Sequence, residues 1–211
     1  MTKAAGADLT TAARIRDTAI EVFGARGFQV GVRAIAAAAG VSPGLVNHHF
    51  GSKEGLRTAC DNRVLELVRS QKLRTLTSSD TAKGILAAMA EIDAYGPLLA
   101  YLVRSLQAGG PVAESLFERM VDDAYDYIER GVEAGVIKPS RDPMARARLI
   151  VTLNTGAVML WVQLHHADGE EVDFAQVMRA VAEEFTPPVL EIYTQGLLAD
   201  PSLLDILTKE K

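Results

Sequence analysis

Apolar residues recur along this chain at intervals of three and four, the spacing of one helix face, in blocks separated by glycine, proline and serine. Ile15, Ala19, Val22 and Phe23 form such a stripe and predict a first helix over Thr11 to Ala25, stopped by Gly27. Val32, Ile35, Ala36 and Ala39 predict a second, with mostly small side chains inward and Arg33 pointing the other way. Gly40 ends it, and Ser42-Pro43 opens a third as N-cap and first-turn proline, so the turn between them is very short.

Further on, Thr81 to Tyr95, Leu98 to Ala108 and Val112 to Ala134 have amphipathic spacing and should wall a cavity. Asp142-Pro143 caps and starts a long helix reaching about His166. That helix is apolar nearly all round and calls for cover on every side. Phe174 to Phe185 and Val189 to Leu198 are expected as two helices parted by Pro187-Pro188. Alternating apolar runs are nearly absent, so the fold class is all-α, with nine or ten helices.

Composition narrows the class without deciding it. Of 211 residues, 48% are hydrophobic and 23% charged, the balance of a folded soluble protein. The apolar stretch from Leu149 to Val162 is interrupted by Thr152, Asn154 and Thr155 and is shorter than the ~20 residues that cross a bilayer, so no membrane is expected. A single cysteine, Cys60, and the lack of a signal pattern point to the cytoplasm. Net charge is −5, but unevenly spread. Residues 1 to 74 hold 11 Lys and Arg against 6 Asp and Glu, a net +5; the remainder holds 11 against 21, a net −10. A basic head on an acidic body suits a polyanionic partner.

The third helix carries the most specific chemistry. At 100° per residue, Leu45, Val46, His49 and Phe50 fall on one half, and Pro43, Gly44, Asn47 and His48 on the other. Two short helices joined tightly, the second exposing small and polar groups, have the geometry that lays a helix in a major groove. Gly44 removes bulk near bases, Asn47 pairs bidentately with adenine in principle, and His48 donates to a base edge or phosphate. Ser42 and Lys53 suit phosphates.

Ile35-Ala36, Ala39-Gly40-Val41-Ser42, Gly44 and then His49-Phe50-Gly51-Ser52-Lys53-Glu54-Gly55-Leu56 resemble the N-terminal domain of the tetracycline-repressor (TetR) family. The resemblance covers about the first third of the chain. It implies a three-helix DNA-binding domain over 9–52, a linking fourth helix over 53–74, and a helical regulatory and dimerisation domain over 75–211. It also implies a homodimer on a palindromic double-stranded operator, released by a small-molecule effector, with phosphate contacts at Arg33 and the Gly31 position. Asn47 stands where the family commonly has a tyrosine, and Gly31 where it usually has a capping threonine. The loop from Gly27 to Ile35 is one residue shorter than usual.

Met89, Tyr95, Tyr101, Met120, Tyr125, Asn154, Met159 and Trp161 are the candidate effector-pocket residues, although each has the spacing of ordinary core. Few charges are candidates for the interior, which suggests an uncharged or apolar effector. His165, His166, Asp168, Glu170 and Glu171 have metal-ligand chemistry, but Gly169 among them favours a plain interhelical connection. His48 and His49 diverge too far to chelate one ion. Cys60 shares an inward stripe with Leu56 and Leu67, which favours packing over redox sensing. With no phosphate-cradling loop, zinc motif or nucleophile elbow, neither cofactor nor catalysis is expected. The rival to a DNA-binding regulator is a helical ligand-binding or interaction protein whose head no longer reads DNA.

Overall fold

The computed structural model describes residues 2–76, 83, 84, 87, 91–166, 172–200 and 202, with side chains from residue 10 onward apart from 92 and 93. All regular structure among these is helical: α1 (Thr2–Arg26), α2 (Val32–Ala38), α3 (Pro43–Phe50), α4 (Lys53–Leu76), a 3-10 turn (Ile92–Tyr95), α5 (Gly96–Gln107), α6 (Gly110–Glu133), α7 (Pro143–His165) and α8 (Phe174–Gln195). The first helix begins well before the expected Thr11. Of the helix expected over Thr81 to Tyr95, most lies outside the described residues.

Local chemistry sets the boundaries. Gly27 and Gly40 take φ of +74° and +65°, the left-handed turn that ends α1 and α2 without a side-chain penalty. Ser42 Oγ accepts from the Leu45 amide at 3.2 Å and Asp142 Oδ1 from the Ala145 amide at 2.9 Å, each followed by proline in the first turn. The expected break at Pro187-Pro188 does not occur, for α8 runs through both to Gln195. The carbonyls of Glu183 and Glu184 lose their amide donors there; both residues and both prolines are exposed, so water satisfies what the helix cannot.

Among the described residues, three apolar clusters hold the helices together. The first joins α1 to α4 through Ile15, Ala19, Phe23, Ile35, Ala36, Val46, Leu56, Cys60 and Val64, and takes in Tyr101 from α5. The second packs Ala100 and Val103 of α5 on Val162 of α7 and on Phe174 and Val177 of α8. The third packs Val121, Ala124 and Ile128 of α6 on Ala147 and Val151 of α7. Head and body meet closely where Gly24 lies on α5: a Cβ at that position would stand 2.9 Å from Ala100 Cβ and 3.1 Å from the Tyr101 amide nitrogen.

Helix α7 extends beyond its apolar centre to 23 residues and contains an 18-residue stretch of mean hydropathy 1.3, long and apolar enough by composition to cross a bilayer. It instead packs between α6 and α8. Its first turns are tied by charge: Arg146 donates to Glu129 at 3.1 Å and to the Lys138 carbonyl at 2.6 Å, and Arg148 forks onto Glu118. One side carries the buried Ala147, Val151 and Val162; the other leaves Leu149, Leu153, Leu160 and Leu164 between 53% and 70% exposed. These four fall within about 60° of one another around the helix.

Candidate nucleic-acid interface and body clefts

The outward side of α3 is built by its inward side. Val46, 1% exposed, anchors the helix in the head cluster, flanked by the half-buried Leu45, His49 and Phe50. That orientation leaves Ser42, Pro43, Gly44, Asn47 and His48 exposed together. The Val41 amide bonds the Ala36 carbonyl at 2.9 Å, which closes the turn from α2 and fixes the angle at which α3 leaves. The rings of His48 and His49 diverge, 5.4 Å apart and 66° to each other. Arg33 lies exposed on α2.

The start of α4 is pinned to this unit. Ser52 Oγ accepts from the Gly55 amide at 3.1 Å, and Gly55 approaches the Phe50 carbonyl so closely that a Cβ would collide with it. Lys53 is partly engaged inside the head: its half-buried side chain donates one ammonium proton to the Phe28 carbonyl at 2.6 Å. The Arg57 guanidinium stacks 3.8 Å above the Phe28 ring. α3 itself carries no lysine or arginine, so the strong positive charge of the head comes from the helices around it.

Of the eight candidate pocket residues, the seven that are described do not converge. Met89 lies outside the described residues. Tyr101 is fully buried among head residues, 2.6 Å through its hydroxyl from Asp61 Oδ1, so it lines no pocket. Met120 packs in the α6–α7 cluster, Tyr125 and Asn154 are exposed, and Tyr95 and Met159 are half-buried. Trp161 alone among them borders a described cleft, of about 380 Å³ between α7 and α8, beside Leu153, Gly156, Leu160, Leu164 and Phe185. Its indole donates to Glu184 at 3.2 Å, and the His165 ring stacks on it at 4.2 Å. Of the histidine and carboxylate group around Gly169, read from sequence as a plain interhelical connection, Asp168, Glu170 and Glu171 lie outside the described residues.

A second cleft, of about 420 Å³, separates α4 from α6. Its walls carry Asn62, Glu66, Arg69, Ser70, Arg119 and Asp123 over Leu65 and Leu73. Arg69 bonds Asp126 at 2.8 Å and Arg119 bonds Asn62 at 2.5 Å across it.

Sequence reasoning missed three residues that the structure makes central to the head: Phe28, Arg57 and Asp61. Phe28 sits in a loop, outside any stripe. Asp61 is 8% exposed although it adjoins the inward Cys60, and an acid beside an apolar stripe position reads as solvated until its partner is known.

Comparison with known proteins agrees with this architecture. Residues 15–60 match the family model described as bacterial regulatory proteins, tetR family, and residues 93–199 match the tetracyclin repressor-like C-terminal domain. The HTH-type transcriptional regulatory protein RaaS of Mycobacterium tuberculosis is 52% identical over 204 residues, covering 97% of this chain and 94% of that protein. Two crystal structures share the fold at lower identity. A TetR-family transcriptional regulator from Pectobacterium atrosepticum is 22% identical, with a TM-score of 0.55 over 95% of this chain and 100% of that one. Another from Chloroflexus aurantiacus is 19% identical, with a TM-score of 0.58 over 89% and 96%. A helix-turn-helix head, a linking helix and an all-helical body, matched along nearly the whole length of a curated regulator, make this chain a member of the TetR family of bacterial transcriptional regulators.

Proposed function

We propose that the chain is a repressor that grips a palindromic operator as a homodimer and lets go when a small molecule binds its body. The observation that carries the reading is the joint exposure of Pro43, Gly44, Asn47 and His48 on a helix whose opposite side is anchored in the head. Gly44 admits the base edges, Asn47 and His48 supply donors and acceptors for them, and Ser42, Arg33 and Lys53 serve phosphates. Lys53 does so with the protons its bond to Phe28 leaves over.

The second subunit is called for by α7 and α8. Leu149, Leu153, Leu160 and Leu164 form a continuous apolar stripe, and Leu190, Ile192 and Tyr193 on α8 are about half exposed. A two-fold contact over this surface makes a four-helix interface and presents two α3 helices to one face of DNA. Groove spacing of ~34–36 Å then becomes the property a ligand controls. A ligand releases DNA if it binds the wrong spacing more tightly. The cleft between α4 and α6 borders the linking helix directly, and its charged walls favour a polar effector over the uncharged or apolar one expected from the few interior charges.

Fluorescence anisotropy with DNA from the gene's own upstream region tests the reading. Binding that is tighter than to scrambled DNA and weakens steeply with salt supports it; equal, weak binding to both supports the rival of a head that no longer reads sequence.

A further inference from the structure

Tyr101 belongs to the body by sequence and to the head by contact. It lies in α5 and is fully buried, yet it shares one core cluster with Ile15, Phe23, Leu56 and Val64 of α1 and α4, and its ring lies 6.4 Å from that of Phe23. Its hydroxyl donates to Asp61 Oδ1 at 2.6 Å and stands 3.3 Å from the Arg57 carbonyl, both on α4. Its ring meets Phe28 edge-on at 5.4 Å. Phe28 in turn carries the Arg57 guanidinium on its face and receives the Lys53 ammonium on its carbonyl. One body side chain thus touches the α1–α2 loop and the linking helix, and those two segments are themselves joined by the Lys53–Phe28 bond where α4 begins, next to the end of α3.

We infer that Tyr101 is the positioning residue through which helix α5 of the body sets the pose of the DNA-reading head. Three observations distinguish this contact from ordinary packing. The hydroxyl–carboxylate bond is directional, so rotation or sliding of α5 moves Asp61 with it, where an apolar contact would slip. Gly24 against Ala100 and the Tyr101 amide leaves no room for the head to shift independently on α5. The pair is buried, so water offers no substitute when the bond is broken. A displacement of α5 therefore reaches α3 by a short route: Tyr101 to Asp61 and Phe28, then through Arg57 and Lys53 to the α3–α4 junction.

The inference rests on the DNA-binding reading for its functional consequence but not for its physical content, and the experiment has an arm for each. Tyr101→Phe keeps the ring and removes the bond; Asp61→Asn keeps an acceptor for it; Val121→Ala makes a cavity in the α6–α7 cluster, away from the joint. In the full-length protein, hydrogen exchange by mass spectrometry should show faster exchange in α3 and the first half of α4 for Tyr101→Phe, with α6 and α7 unchanged. Val121→Ala should show the reverse, and Asp61→Asn should resemble the wild type. Affinity for upstream DNA should fall about tenfold in Tyr101→Phe, the scale of one lost buried bond, with binding to scrambled DNA within about twofold of wild type. Exchange in Tyr101→Phe that is unchanged, or raised equally in head and body, overturns the inference whatever the DNA arm gives. Wild-type protein that does not prefer upstream DNA contradicts the operator reading alone.

Discussion

The Tyr101 hydroxyl and the Asp61 carboxylate, 2.6 Å apart, join a helix of the body to the helix that leads out of the head. Burial pushes the Asp61 carboxyl above its usual range, while the Tyr101 bond and the charges of Arg57 and Arg119 oppose that rise. A carboxyl with a raised value in the folded protein holds its proton more tightly there than in the unfolded chain. The stabilisation from that proton is absent at neutral pH and accrues as pH falls through the folded value toward ordinary Asp values near ~4. Melting temperatures of wild type and Asp61→Asn, compared from pH 7 down to 4.5, should show the wild type gaining on the variant as pH falls. A constant difference, or a wild type that loses ground, contradicts the assignment.

Cys60 lies one residue earlier on the same helix and is fully buried, with its thiol donating to the Arg16 carbonyl at 3.6 Å. Burial pushes its pKa up to about 12, with the Asp61 charge adding to the rise. The thiolate is the reactive form, so at pH 8 its reaction with a disulfide reagent should be at least ~1000-fold slower than that of an exposed thiol. One thiol should appear at full rate only after denaturation. Fast labelling of native protein would revive a redox role.

Leu160 is 56% exposed in the middle of the α7 stripe, so replacing it leaves the monomer core untouched. Leu160→Glu puts two like charges at a two-fold contact whose apolar area drives association. Light scattering should show the wild type as a dimer and the variant at half its mass, with helical content retained. A dimeric Leu160→Glu protein would place the interface elsewhere.

Much of this architecture was readable because each helix states its own limits. Ser42-Pro43 and Asp142-Pro143 marked two starts, Gly27 and Gly40 two ends, and the stripe Ile15, Ala19 and Phe23 its inward side. These signals act within a turn or two of chain. The exposed set on α3 followed in the same way, since a short helix anchored by Val46 leaves few choices for Gly44, Asn47 and His48. What failed depended on partners far away in the chain. Tyr101 at helical spacing fits a pocket wall or a core equally well, and only its neighbours, 40 residues off at Asp61 and further still at Phe28 and Phe23, decide between them. The proline pair in α8 misled for a different reason: proline removes bonds but does not forbid a helix whose freed carbonyls face water.

The central claim is that the outward face of α3 reads DNA, and Gly44 gives the most direct access to it. A side chain at Gly44 would meet nothing nearer than Ser42 Oγ at 3.9 Å, so the fold has room for one. Gly44→Glu also places a better helix former and a negative charge in the first turn of α3, where both favour the helix. On DNA the same side chain would fill the groove and face phosphates. Anisotropy titration of wild type and Gly44→Glu against the upstream fragment, with melting curves of both, should give an unchanged or raised melting temperature and affinity lowered by at least ~100-fold. A stable Gly44→Glu protein that binds the fragment as tightly as wild type would contradict the account.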